Sequence, residues 1–172
     1  MLTMYDATIP TLKRLLTNLS AILKKGEAHA DAKKIDHSIF LNARLAPDMY
    51  ALTRQVQIAT DMSKGAVARL AGVDIPKYED DETTFADLQA RIIKTVAFID
   101  GIKPAQLEGS ENRDVVITVR NTNLAFKGQA YLLNWVNPNV YFHVVTAYNI
   151  LRHNGVELGK LDFLGPRDEP IL

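Results

Sequence analysis

Four stretches of this chain carry apolar residues at steps of three and four, and no other feature constrains the fold as much. Leu12, Leu15, Leu16, Leu19, Ile22 and Leu23 form the first stripe and predict a helix over about 9–26, with Thr8 as N-cap, Pro10 in the first turn and Gly26 near the end. Met49, Leu52, Val56, Ala59, Ser63, Ala66 and Leu70 form the second, opened by Pro47 and closed by Gly72. Phe85, Leu88, Ile92, Val96 and Ile99 form the third; Thr84 and Asp87 ahead of it resemble a capping box, and Gly101 ends it. The fourth runs from Gly128 to His153, where Pro138 removes a backbone donor and predicts a kink or split near Asn137, and Asn154-Gly155 supply the cap. A helix with one apolar stripe must bury it against another element, and a bundle covers all four at once.

The connections narrow the topology. From Glu27 to Ala46 the pattern weakens, and Asp36 caps a short turn through Ile39 and Leu41, so this segment reads as a long, partly helical crossover. Asp74 to Glu82 reads as a polar linker. Val115, Ile117 and Val119 alternate with Val116, Thr118 and Arg120, and Leu124 and Phe126 alternate on the return. With a tight turn at Asn121-Thr122-Asn123, they predict a β-hairpin over about 114–127. The tail from 156 to 172, with Gly159, Gly165, Pro166 and Pro170, is expected to wrap the surface irregularly. Connections of about 20 and about 25 residues exceed the roughly 2–8 of an up-down-up-down arrangement. The expected fold is therefore all-α: a four-helix bundle with a crossover connection and a small β-hairpin insert, in one domain over 1–172.

Composition removes several function classes. Twenty Lys plus Arg balance twenty Asp plus Glu, and no basic patch stands out, which argues against nucleic acid and anionic membranes as partners. The absence of Cys excludes thiolate nucleophiles and thiolate-ligated metals. With no signal-like start and no apolar run of about 18 residues, the chain is read as cytoplasmic.

Among catalytic patterns, His-Glu-x-x-His, Glu-x-x-His, Gly-x-Ser-x-Gly and both phosphate-binding glycine loops are missing. His143 lies on the stripe Val136, Val140, His143, Ala147 and Ile150 and is expected to point inward, as an interior or pocket-lining residue rather than a metal ligand. Asp48, Asp61, Asp87 and Asp100 fall off the stripes or at helix ends, and Asp48, just after Pro47, suits a first helical turn. The run Glu79-Asp80-Asp81-Glu82 reads as a solvated linker. What remains is a polar and aromatic cluster. If the start of the second helix faces the kinked fourth, Tyr50, Asp48 and Arg54 would join His143, Tyr148, Tyr141 and Trp135 around a small-molecule pocket. The alternative is that these rings seat in the core with their polar ends at the rim. No catalytic residue, metal ligand or cofactor is assigned.

Met4-Tyr5-Asp6-Ala7 with Pro10, Leu45-Ala46-Pro47-Asp48-Met49, Gln55-Val56-Gln57-Ile58-Ala59, Asn139-Val140-Tyr141-Phe142-His143 and Leu151-Arg152-His153-Asn154-Gly155 resemble an uncharacterised bacterial family within the DinB/YfiT-like superfamily. The resemblance covers nearly the whole chain. It implies a four-helix bundle with a crossover, often a homodimer. It further implies, in many members, a metal held by one His on the second helix and a His-x-x-x-His on the fourth, some members being thiol-dependent transferases or hydrolases. His143 matches the first of that pair, Ala147 stands where the second would be, and the second helix offers Gln55 and Gln57 in place of His. An amide oxygen replaces imidazole poorly at a transition metal. The expected function is thus a metal-free small-molecule binding or interaction module. Its rivals are a metal-dependent enzyme with a divergent site and a structural homodimer with no ligand.

Overall fold

A computed structural model of the chain describes residues 2–166 and is mainly helical, with one small antiparallel sheet. Among the described residues no helix is long and apolar enough to cross a membrane.

Helix α1 spans Met4–Lys33, longer at both ends than the stripe predicts. Thr3, not Thr8, is the N-cap: its hydroxyl accepts from Asp6 N at 3.1 Å, while the Asp6 carboxylate accepts from Thr3 N at 3.1 Å. Pro10 consequently lies inside the helix rather than in its first turn. Gly26 does not end it either. A Cβ there would stand 2.9 Å from Leu151 Cδ2, so the glycine admits a close helix approach, and α1 continues to a left-handed cap at Lys34.

Helix α2 (His37–Leu41) is capped by Asp36 as expected, the carboxylate accepting from Ser38 N at 2.8 Å. Pro47 does not open the next helix. Leu52 N donates to Ala43 O at 2.9 Å and closes the segment between them into a loop, so α3 spans Leu52–Ala71 with Ala51 as N-cap. Asp48, expected in a first helical turn, instead lies exposed in that loop. Gly72 closes α3 at φ 69°. Helix α4 (Phe85–Asp100) opens with the Thr84/Asp87 capping box.

After α5 (Pro104–Leu107) and a single 3-10 turn at Ser110–Asn112, strands β1 (Asp114–Val119) and β2 (Thr122–Lys127) pair with Val115 opposite Phe126 and Ile117 opposite Leu124. The hairpin turn is Arg120-Asn121 rather than 121–123. Both residues have positive φ, 48° and 66°, the backbone that a two-residue turn needs to match strand twist.

The last long rod is unbroken: α6 (Gly128–Tyr131), a π turn (Leu132–Val136) and α7 (Asn137–His153). Pro138 does not split it. Asn137 N reaches back five residues to Leu132 O, and this widened turn accommodates the bond that the proline cannot make. The tail expected to be irregular contains α8 (Lys160–Leu164), where the Asp162 carboxylate accepts from Gly159 N at 2.9 Å. Pro170 and the rest of 167–172 lie outside the described residues.

Helix α1 packs on α4, α7 and α8, and α3 on α7 and α4. Leu12, Leu16, Leu19, Leu52, Val56, Leu88, Val140 and Val144 are fully buried at the centre. The hairpin turns Val115 and Ile117 inward.

Candidate functional site

The side of α3 that meets α7 carries Leu52, Gln55, Val56 and Ala59, all buried. Gln55 breaks that apolar stripe, and an amide at 1% exposure must find partners. Its Nε2 donates to Tyr50 O at 2.9 Å, and its Oε1 lies 2.7 Å from His143 Nδ1 on α7. An amide oxygen only accepts, so the ring is the Nδ1–H tautomer, and its Nε2 keeps a lone pair. Burial, with a smaller contribution from the Arg54 cation, lowers the His143 pKa from 6.5 to about 4, so the ring is neutral at physiological pH.

Two exposed aromatic side chains lie close by. Phe142 meets the imidazole edge-on at 5.2 Å, and the Arg54 guanidinium lies 6.0 Å from the Tyr50 ring centroid. Gln55 thus joins His143 to the Tyr50 backbone, Arg54 lies beside the Tyr50 ring, and together these residues offer a neutral acceptor, a cation and aromatic surface. The other predicted site residues lie apart. Asp48 is exposed in the loop before α3. Tyr141 lines a cleft of about 1010 Å³ with Arg14, Asn18 and Phe163. Trp135 packs on Phe126 of the hairpin at 5.9 Å, and Tyr148 is half-buried against the core.

A second cluster, centred on Arg91 of α4, was not expected from the sequence. Its guanidinium is fully buried. Nε donates to Thr60 Oγ1 at 2.8 Å, Nη1 to Glu79 O and Glu82 Oε1 at 2.9 Å each, and Nη2 to Asp61 Oδ1 at 2.8 Å, with Asp80 Oδ1 at 3.1 Å. Arg54 also pairs with Asp80, and Gln57 Nε2 donates to Glu82 at 2.9 Å, tying the cluster to the His143 neighbourhood. The 79–82 run is a linker exposed at Glu79, Asp80 and Asp81, as expected, but Asp80 and Glu82 also serve as counter-ions to a buried cation. Burial alone would raise the pKa of Glu82, yet the hydrogen bonds from Arg91 and Gln57 outweigh it and hold the carboxyl below its ordinary range. The available signal was Arg91 itself, which stands beside Leu88, Ile92 and Thr95 on the apolar stripe of α4.

The implied metal can be tested against these donors. The Nδ1 of His143 is engaged by Gln55, and Ala147, one turn on, is a fully buried methyl. Among the described residues no group of three His, Cys, Asp or Glu could hold a metal ion. One imidazole nitrogen and no anionic ligand do not fit a transition metal.

A family profile described as Domain of unknown function (DUF1993) matches residues 4–164. A crystal structure described as a DinB family member protein from Shewanella denitrificans is similar with a TM-score of 0.90 and 42% identity, covering 96% of this chain and 94% of that one. No curated protein matches the chain.

Proposed function

The chain belongs to a DinB-like family of unknown function, DUF1993, and from that premise we propose that it is a metal-free binding module: a single four-helix bundle with a crossover, recognising a small molecule beside His143. The observation that supports this reading best is the Gln55–His143 hydrogen bond. It engages the ring nitrogen on the α3 side in holding two helices together and leaves Nε2 as an acceptor. The matching ligand would donate a hydrogen bond to Nε2, place an anionic or acceptor group toward Arg54, and lay a flat or apolar part on Tyr50 and Phe142.

Metal content of protein purified without added metal tests this reading. Zinc and nickel are expected far below one equivalent, with no movement of the His143 ring resonances on zinc titration. Near-stoichiometric metal would favour the metal-dependent enzyme instead. In a ligand panel, His143→Ala is expected to stay folded while losing ligand-induced shifts at Tyr50 and Phe142; a loss of several kcal/mol of stability would make His143 chiefly a core residue.

A second reading, self-association, is favoured by a different observation. Tyr141, Phe142 and Val145 leave 40%, 55% and 37% of their surface exposed along one side of α7. An apolar stripe of this kind suits a protein interface, and a homodimer formed there would bring the partner against Phe142. Light scattering of the wild type and of Phe142→Glu tests it: a dimer that dissociates on substitution supports the interface, and a monomeric wild type overturns it.

A further inference from the structure

We propose that the cleft between the start of α1, α5 and the π turn is a binding site for a small organic cation with an apolar tail. It lies apart from the His143 region, shares no residue with it and does not depend on the function proposed there.

The cleft has a volume of about 510 Å³, within the roughly 300–1,000 Å³ of small-molecule sites. Met4, Leu107, Leu132 and Leu133 supply apolar walls, with Leu107 and Leu132 almost fully buried. Tyr5 adds an aromatic ring. The only formal charges among its described lining residues are the carboxylates of Glu108 and Glu111. Neither carboxylate is ion-paired among the described residues.

The backbone that carries these groups is held in place. Gly128, at the start of α6, is so close to the Ser110 carbonyl that a Cβ would come within 1.9 Å of it, which seats the loop carrying both glutamates on the helix. The positive end of α1 also borders the cleft and opposes a cation, but Asp6 already answers it through the capping box with Thr3. Apolar walls, one aromatic ring and two carboxylates are the combination that recognises an alkylammonium. The tail is drawn from water by the leucines, and the head is attracted both by negative charge and by the face of a ring. A fatty carboxylate of the same length would meet two like charges.

Three probes of equal chain length separate the alternatives: hexyltrimethylammonium, hexanol and hexanoate, each titrated by calorimetry and by amide shifts. The cation is expected to bind at least about tenfold more tightly than hexanol, with shifts at Tyr5, Leu107 and Leu132 that weaken as salt is raised, and hexanoate is expected not to bind. Glu108→Gln combined with Glu111→Gln is expected to reduce the preference for the cation to near parity with hexanol. Tyr5→Leu, which keeps an apolar wall, is expected to weaken the cation more than hexanol. The proposal is overturned if hexanol or hexanoate matches the cation, if the shifts fall elsewhere, if no probe binds at millimolar concentration, or if the double glutamine variant keeps the full preference.

Discussion

His143 and Gln55 stand 88 positions apart in the chain and join α7 to α3 through a 2.7 Å hydrogen bond. Because Gln55 Nε2 is occupied by Tyr50 O, the imidazole has to supply the proton of that bond. Long-range proton–nitrogen correlation should therefore show a protonated Nδ1 and an unprotonated Nε2 at neutral pH. The reverse pattern would mean that the Gln55 amide is flipped and that the acceptor offered to a ligand is absent.

The same burial makes stability depend on pH in a defined window. Unfolded, the His143 ring binds a proton near 6.5; folded, it resists protonation down to about 4. The unfolded chain thus takes up more protons between these values, and stability is full above about 6.5, falls as pH drops and levels off below about 4. The loss from this group is about 3 kcal/mol. The shifted carboxylates Asp80 and Glu82 act only lower, since their unfolded values are 3.8 and 4.5. Urea midpoints between pH 7.5 and 4.5 should decline for the wild type and much less for His143→Asn; parallel declines would assign the effect to other groups.

Arg91 donates through all three guanidinium nitrogens to α3 and to the 79–82 segment. Removing it leaves Glu82, whose side chain is 5% exposed, with the Gln57 amide but no counter-ion, and frees the segment that crosses from α3 to α4. Arg91→Leu is expected to cost about 3–5 kcal/mol in urea unfolding. Arg91→Lys should recover only a minor part, because an ammonium cannot span Thr60, Asp61 and Glu82 together. A cost below about 1 kcal/mol would place Arg91 among ordinary surface pairs.

The contrast between these two clusters shows what a linear reading captures. Local signals did well: Thr84 with Asp87, Gly72 and Asp36 each act within a few residues of where they lie, and all three cap as expected. Thr3 with Asp6 is the same signal, but Pro10 suggested a later start; it lies inside the helix instead, at the loss of one backbone hydrogen bond. The 27–33 end of α1 lacks a stripe because Ala30 alone reaches the core there. The pairing of Gln55 with His143 depends on how α3 and α7 pack, which no spacing along the chain encodes. The buried arginine was legible only in outline: a charge on an apolar stripe demands counter-charges, and the acids at 79–82 were the nearest supply.

Gly128 supports a prediction about backbone approach. The Ser110 carbonyl and Leu70 Cδ2, at 1.9 and 3.0 Å from a Cβ placed there, leave no room for a methyl, and the carbonyl is backbone that cannot rotate away alone. Gly128→Ala is expected to destabilise by about 2 kcal/mol or more and to disturb amide shifts from Gly109 to Asn112. Gly159→Ala, where nothing stands within 4 Å, is the control and should stay within about 0.5 kcal/mol. Equal effects at the two sites would show that the 109–112 loop yields easily.

The hairpin turn carries the opposite kind of opportunity. Arg120 and Asn121 both hold positive φ, which costs an ordinary residue such as arginine roughly 1–2 kcal/mol. Asparagine tolerates that region, and glycine is at home in it, so Arg120→Asn with Asn121→Gly should relieve the strain without touching the inward side chains Val115 and Ile117. Glycine also enlarges the freedom of the unfolded chain, which offsets part of the gain. The expected net is about 1 kcal/mol of added stability, read as a higher urea midpoint together with slower amide exchange across the β1–β2 pairs. Slower exchange without a higher midpoint would mean that the hairpin opens independently of the helices, and no change in either would mean that the turn carries no strain.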